Sequence, residues 1–233
     1  MSAIFKREMR SYFTSPIGYI VVILYTLLYG FFFTRLYQNG MPDMSILFGY
    51  SFTLTLFLMP VLTMRLFSEE RRQKTDQALF TAPVNLSAIV LGKFFAALCV
   101  FLLAQVTTLV FELIFAFNVS VDGIGYFCCL LGSTLTAAAL IAVGIFISSL
   151  TESQIVAAIG GIGVSILLAI MDTLASTVSV KWLAAAIGWI SFSGRFNTFC
   201  TGILDYANIA FFLSFTAIFL FLTVRIQEKR RWS

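Results

Sequence analysis

Residues 69–85 read EERRQKTDQALFTAPVN, and six of the first eight are charged in a chain that is only 11% charged overall. Upstream lies TLTLFLMPVLTM (53–64) and downstream AIVLGKFFAALCVFLL (88–103), both apolar enough to sit in lipid. An island of charge between two such runs is what a membrane chain shows where it turns back through water. Composition agrees. Of 233 residues, 60% are hydrophobic and 16% aromatic, with 26 phenylalanines. Soluble domains are about half apolar and about a quarter charged, so too little polar surface is available here to cover a soluble core. The chain reads as one polytopic, all-α membrane domain over 1–233.

Six segments reach the roughly 20 apolar residues that a bilayer crossing needs: Ile17–Tyr37, Ile46–Met64, Ala88–Phe117, Ile124–Leu150, Ile155–Ala175 and Tyr206–Arg225. Pro60 falls inside the second and predicts a kink. With the N-terminus in the cytoplasm, twelve of the 15 basic residues lie inside and only Arg35, Lys181 and Arg195 lie outside. That asymmetry predicts both termini inside. The net charge of +4 is then a topology signal rather than a nucleic-acid footprint.

Before the first span, Ile4, Phe5, Met9, Tyr12 and Phe13 share one helical face, with Lys6, Arg7, Arg10, Ser11 and Thr14 largely opposite. Residues 1–16 therefore predict an amphipathic helix lying flat in the inner headgroup layer, ended by Pro16. A basic leader that only fixes topology is the alternative. Between the fifth and sixth spans, residues 177–205 carry an apolar core too short to cross. They predict an outer re-entrant hairpin of two short helices broken at Ser193-Gly194, with Trp182 and Trp189 at the interface. An ordinary outer loop with one surface helix is the alternative. The small residues Ala137, Ala138, Ala139, Gly144 and AAIGGIG (157–163) predict close helix packing.

Catalytic chemistry is missing. The chain has no His, so no Ser-His pair and no His metal site exist. Ile147-Ser148-Ser149 has no base to activate it. Gly92-Lys93 lacks the upstream glycine of a phosphate-binding loop. No metal ligand set stands out, and Cys99, Cys128, Cys129 and Cys200 lie in or beside apolar runs as small hydrophobes. Glu112, inside the third span, is either a rim residue reaching the outer headgroups or part of a pathway. Arg35, at similar depth, is its expected partner.

The island itself, within a loop at 65–87, has internal order. Arg65 leaves the membrane, and Glu69, Glu70, Arg71, Arg72 and Lys74 mix both signs, which suits protein contact. Thr75 is a good N-cap and Asp76 lies in the first turn. The short helix that follows presents Leu79 and Phe80, and Pro83 stops it. This pattern is a docking peg beneath the membrane, or else a solvated loop.

The run from Glu69 to Asn85 with Gly92-Lys93 resembles the coupling-helix region of ATP-binding cassette (ABC) permeases of the second membrane-domain type. Glu69, Glu70, Arg71, Thr75, Leu79, Thr81, Pro83, Val84, Gly92 and Lys93 match the family pattern. Lys74 stands at its usual Gly and Gln77 at its usual acidic residue. RFNTFCTGILD (195–205), the Phe-rich last span and the basic tail are similar to the gliding-motility-type branch. The resemblance implies an exporter half in a bacterial inner membrane, paired with a second permease copy or paralogue. It implies two separate ATPase subunits that bind ATP and Mg, this chain binding no cofactor itself. Residues 69–83 would touch the ATPase, Phe5, Met9, Tyr12 and Phe13 would belong to the family's connecting helix, and 182–203 would form its outer hairpin. A mechanical permease working on an extracytoplasmic accessory protein, without transport, is the alternative. A secondary transporter is the weakest, because the spans are nearly free of ionisable residues and show no internal repeat.

Overall fold

The computed structural model describes residues 2–40, 43–74, 85–118, 123–177, 180, 182 and 188–231, and these are helical with short connections. In chain order the helices are α1 (Ser2–Thr14), α2 (Pro16–Gln38), α3 (Met44–Thr63), α4 (Arg65–Arg72), α5 (Leu86–Asn118), α6 (Gly123–Leu150), α7 (Gln154–Thr177), α8 (Phe192–Cys200) and α9 (Tyr206–Arg231). No strand occurs among the described residues. Six helical stretches are long and apolar enough to cross a membrane: α2, the α3–α4 stretch, α5, α6, α7 and α9.

Their sequences explain their ends. Ser15 caps α2 by accepting from the Ile17 amide at 3.4 Å, and Pro16 occupies the first position, where its missing N–H costs nothing. Asp43 caps α3 through the Ser45 amide at 2.8 Å. The α3–α4 stretch, α5 and α6 are the more buried spans, whereas α2, α7 and α9 leave most of their apolar surface outward. Such surface suits acyl chains or a second subunit and would be untenable in water.

Centrally, α6 packs on α9 and α3, and α3 also meets α7. Small residues permit this. A Cβ on Gly161 of α7 would lie 2.8 Å from the Pro60 ring of α3, so that glycine lets the two backbones approach. A Cβ on Gly144 of α6 would collide with the Thr63 hydroxyl. Polar side chains inside the bundle pair with one another: Tyr25 with Ser51 and Thr26 with Thr107, each at 2.7 Å.

Two expectations change. The helical stretch of the second span does not stop at Met64. Its helix runs through the proline, breaks at Met64 and resumes as α4. Arg65 does not stop it, because a basic side chain can reach polar groups without unwinding the backbone. Nor does the outer segment break at Ser193-Gly194. Ser191 accepts from the Gly194 amide at 3.0 Å, which places both residues in the first turn of α8. That helix is held from several sides: Phe192, Phe196 and Phe199 are buried, and Ser45 donates to the Cys200 carbonyl at 3.1 Å. Trp182 and Trp189 stand exposed. Residues 181 and 183–187, which carry most of the hairpin's first half, lie outside the described residues.

Replacing Gly144 by Ala should lower stability by about 1–3 kcal/mol through overpacking against Thr63. Gly163→Ala, which meets no neighbour, should leave it unchanged or raise it slightly. Melting temperatures of the two purified variants in one detergent check this ordering.

Candidate functional site

Helix α4 is short and strongly two-sided. Leu66, Phe67 and Ser68 are buried, whereas Arg72, Gln73 and Lys74 are exposed. Its junction with α3 is closed by α6. The Ser148 hydroxyl accepts from the Phe67 and Ser68 amides at 3.1 and 3.2 Å and donates to the Met64 carbonyl at 2.9 Å. One side chain thus satisfies backbone groups that a helix break would otherwise leave unpaired. At the other end of α4, Lys74 adopts φ 55°, the left-handed conformation that ends helices. Glycine takes this conformation freely, and a side chain there costs about 1–2 kcal/mol. The resembled pattern carries Gly at this position.

Beneath α4 lies an ion quartet centred on buried Lys93, with Arg7 at its exposed edge. Lys93 of α5 is 1% exposed, and its ammonium donates to the Leu66 carbonyl at 2.6 Å. The same group pairs with Glu70 at 2.8 Å and Glu8 at 3.3 Å. Arg7 completes the ring, reaching Glu8 at 2.6 Å and Glu70 at 2.8 Å. Two cations and two carboxylates therefore join α1, α4 and α5. Gly92 brings them within reach, since a Cβ there would lie 2.9 Å from Ile4 of α1. A separate pair, Arg71–Glu152 at 2.9 Å, ties α4 to the α6–α7 turn. Burial alone would push the Glu8 carboxyl up. The Lys93 ammonium and the Arg7 guanidinium outweigh this and hold it below the ordinary carboxylate range.

The expected site residues separate into groups. Glu70 and Arg71 face neighbouring elements, Glu69 accepts from Gln73 at 3.2 Å, and Arg72 and Lys74 are exposed. Thr75, Asp76, Leu79, Phe80 and Pro83 lie outside the described residues. On α1, Phe5, Met9 and Phe13 are half-buried against the core, and Tyr12 is 1% exposed. The stripe packs on α2 and α5. The reason is chemical: Tyr12 donates to the Leu62 carbonyl at 3.1 Å, and burial raises its hydroxyl pKa, which keeps it a donor. Arg35 lies over the Phe31 ring at 5.3 Å, while the side chain of Glu112 lies outside the described residues.

Sequence reasoning missed Glu8, Lys93 as an ion partner, and Ser148. Glu8 was findable. It lies on the same helical face as Phe5 and Tyr12, and an acid on an apolar stripe asks for a buried cation. Ser148 carried no such signal, because its role depends on a break in another helix.

Lys93→Met should cost about 3–5 kcal/mol, because Glu8 and Glu70 lose their buried counter-charge. Adding Glu8→Gln should recover part of that loss, and a double-mutant cycle on melting temperature reads the coupling. Glu8 has a depressed folded-state pKa. Its stabilisation is therefore fully present above the unfolded value near 4.5 and is lost as pH falls through the folded value below it. Melting temperatures of wild type and Glu8→Gln should accordingly differ at neutral pH and converge in acid.

No curated protein matches the chain. The family model described as "ABC-2 type transporter" matches residues 1–192, which include the island, the quartet and five of the six spans. The chain belongs to the ABC-2 type transporter membrane family.

Proposed function

We propose that this chain is the permease half of an ATP-driven exporter, in which α4 and residues 75–84 carry the movement of a separate ATPase to the spans. The observation that supports this most is the attachment of α4. It continues the second span, and salt bridges and a bridging hydroxyl hold it to α1, α5, α6 and the α6–α7 turn. A displacement applied beyond Lys74 therefore acts on several helices together. Among the described residues of the expected contact, Arg72 and Lys74 are the freest to meet a partner, and Thr75 to Pro83 would supply its apolar tip.

In this reading two ATPase subunits hold ATP and Mg, and this chain holds neither. It works with a second permease copy or paralogue in a bacterial inner membrane, both termini inside. The outer segment RFNTFCTGILD favours the gliding-motility-type branch of the family. A lipid-like or amphiphilic cargo suits the apolar spans.

Charge reversal at Arg72 and Lys74 together, or Leu79→Asp with Phe80→Asp, should abolish co-purification of the cognate ATPase while leaving the melting temperature of the permease in place. Undiminished capture and coupled ATPase activity in both variants would overturn the docking role. In a background lacking the four native cysteines, a cysteine at Asn85 should react only with reagent supplied from the cytoplasmic side. Labelling from outside would reverse the topology.

A further inference from the structure

Between α1, the start of α2 and α4 opens a cleft of about 550 Å³, a size that accommodates small ligands. Its lining falls into two groups by charge pairing. Arg7, Glu8, Lys93 and Glu70 neutralise each other. The lining also includes Arg10 and Arg65, with the hydroxyls of Ser11, Thr14 and Ser15. Arg65 is half-buried and bonds only neutral oxygens: Ser15 Oγ at 2.7 Å, and the Ser11 carbonyl and hydroxyl at 3.0 and 3.4 Å. Its guanidinium also lies over the Tyr12 ring at 5.1 Å. Among the described residues, no carboxylate pairs with Arg65 or with Arg10. The one acid lining the cleft outside the quartet is Glu69, which is bonded to Gln73.

Two guanidinium groups thus face one cleft with a single carboxylate against them. The site's depth is fixed by the chain: Ser15 immediately precedes α2, and Arg65 directly follows the α3 segment of the second span. Ser15, to which Arg65 donates, marks the level where the first apolar span begins. Headgroup phosphates occupy that level in a bilayer, and an arginine fork with nearby hydroxyls suits phosphate oxygens.

The geometry points to a phosphate-binding site formed by Arg10, Arg65, Ser11, Thr14 and Ser15, which takes the phosphodiester of an anionic lipid headgroup or free inorganic phosphate. The quartet next to it holds α1 and α4 in place and leaves these two cations for the ligand. Exposed Arg72 and Lys74 lie outside the cleft lining, so a ligand in the cleft does not occupy them.

The test uses the full chain in phosphatidylcholine nanodiscs, with phosphatidylglycerol added in steps and retention read by native mass spectrometry. Phosphatidylglycerol should be retained in preference to phosphatidylcholine, and Arg10→Gln and Arg65→Gln should each weaken that retention about fivefold. Arg65→Lys should restore only part of the loss, because lysine keeps the charge but not the fork. Arg10 is exposed and unpaired, so its variant keeps the measurement readable even where Arg65→Gln fails to fold. Displacement of the lipid by millimolar inorganic phosphate would assign the site to free phosphate, and persistence against it would assign the site to the lipid diester. Equal retention of both lipids by the wild type without phosphate binding, or an unchanged preference in Arg10→Gln, would overturn the proposal.

Discussion

The ammonium of Lys93, buried where almost no water reaches it, constrains the inner end of this molecule. Removing such a charge from water costs several kcal/mol unless good geometry returns it. Glu8, Glu70 and the Leu66 carbonyl supply that geometry, and each belongs to α1 or α4. The N-terminal helix must then lie against α5, and α4 must lie against both. Arg7 closes the ring, so the removal of any one member leaves an opposite charge uncompensated. Phe67, over whose ring the Lys93 ammonium sits at 4.9 Å, completes the enclosure.

This arrangement gives α1 directional contacts as well as an apolar face. An amphipathic helix on a membrane trades its apolar face against acyl chains and is free to slide. Here the same face carries Tyr12, bonded to the Leu62 carbonyl, and Glu8, paired with Lys93 and Arg7. Position is therefore fixed by directional bonds, while the opposite face keeps Lys6 exposed.

The spans were legible because bilayer thickness imposes a length and an apolar content that few other structures share. The fourth, read as Ile124–Leu150, is observed as Gly123–Leu150. Places decided by tertiary partners were harder to read. Arg65 suggested an exit from the membrane, yet the helix resumes there because α6 supplies a hydroxyl to the break. Ser193-Gly194 suggested a turn, but the capping of Gly194 by Ser191 makes it the beginning of a helix. Within the island, the mixed charges of Glu70 and Arg71 suggested a contact surface. Both are committed to internal ion pairs, and a one-dimensional pattern cannot show which way such a side chain points. Lys93 was visible only as half of a Gly-Lys pair. Its meaning depended on an acid 85 positions away.

The bridge at Ser148 has a mechanical consequence. An interruption in a helix normally leaves amides and carbonyls stranded. At Met64 the losses are already offset by a hydroxyl from another helix, which uses its one hydrogen and accepts two more. The joint between the second span and its inner arm is therefore bridged rather than left as a gap in the hydrogen bonding. The bridge belongs to α6, so the two arms of one continuous stretch answer to a third element that touches both.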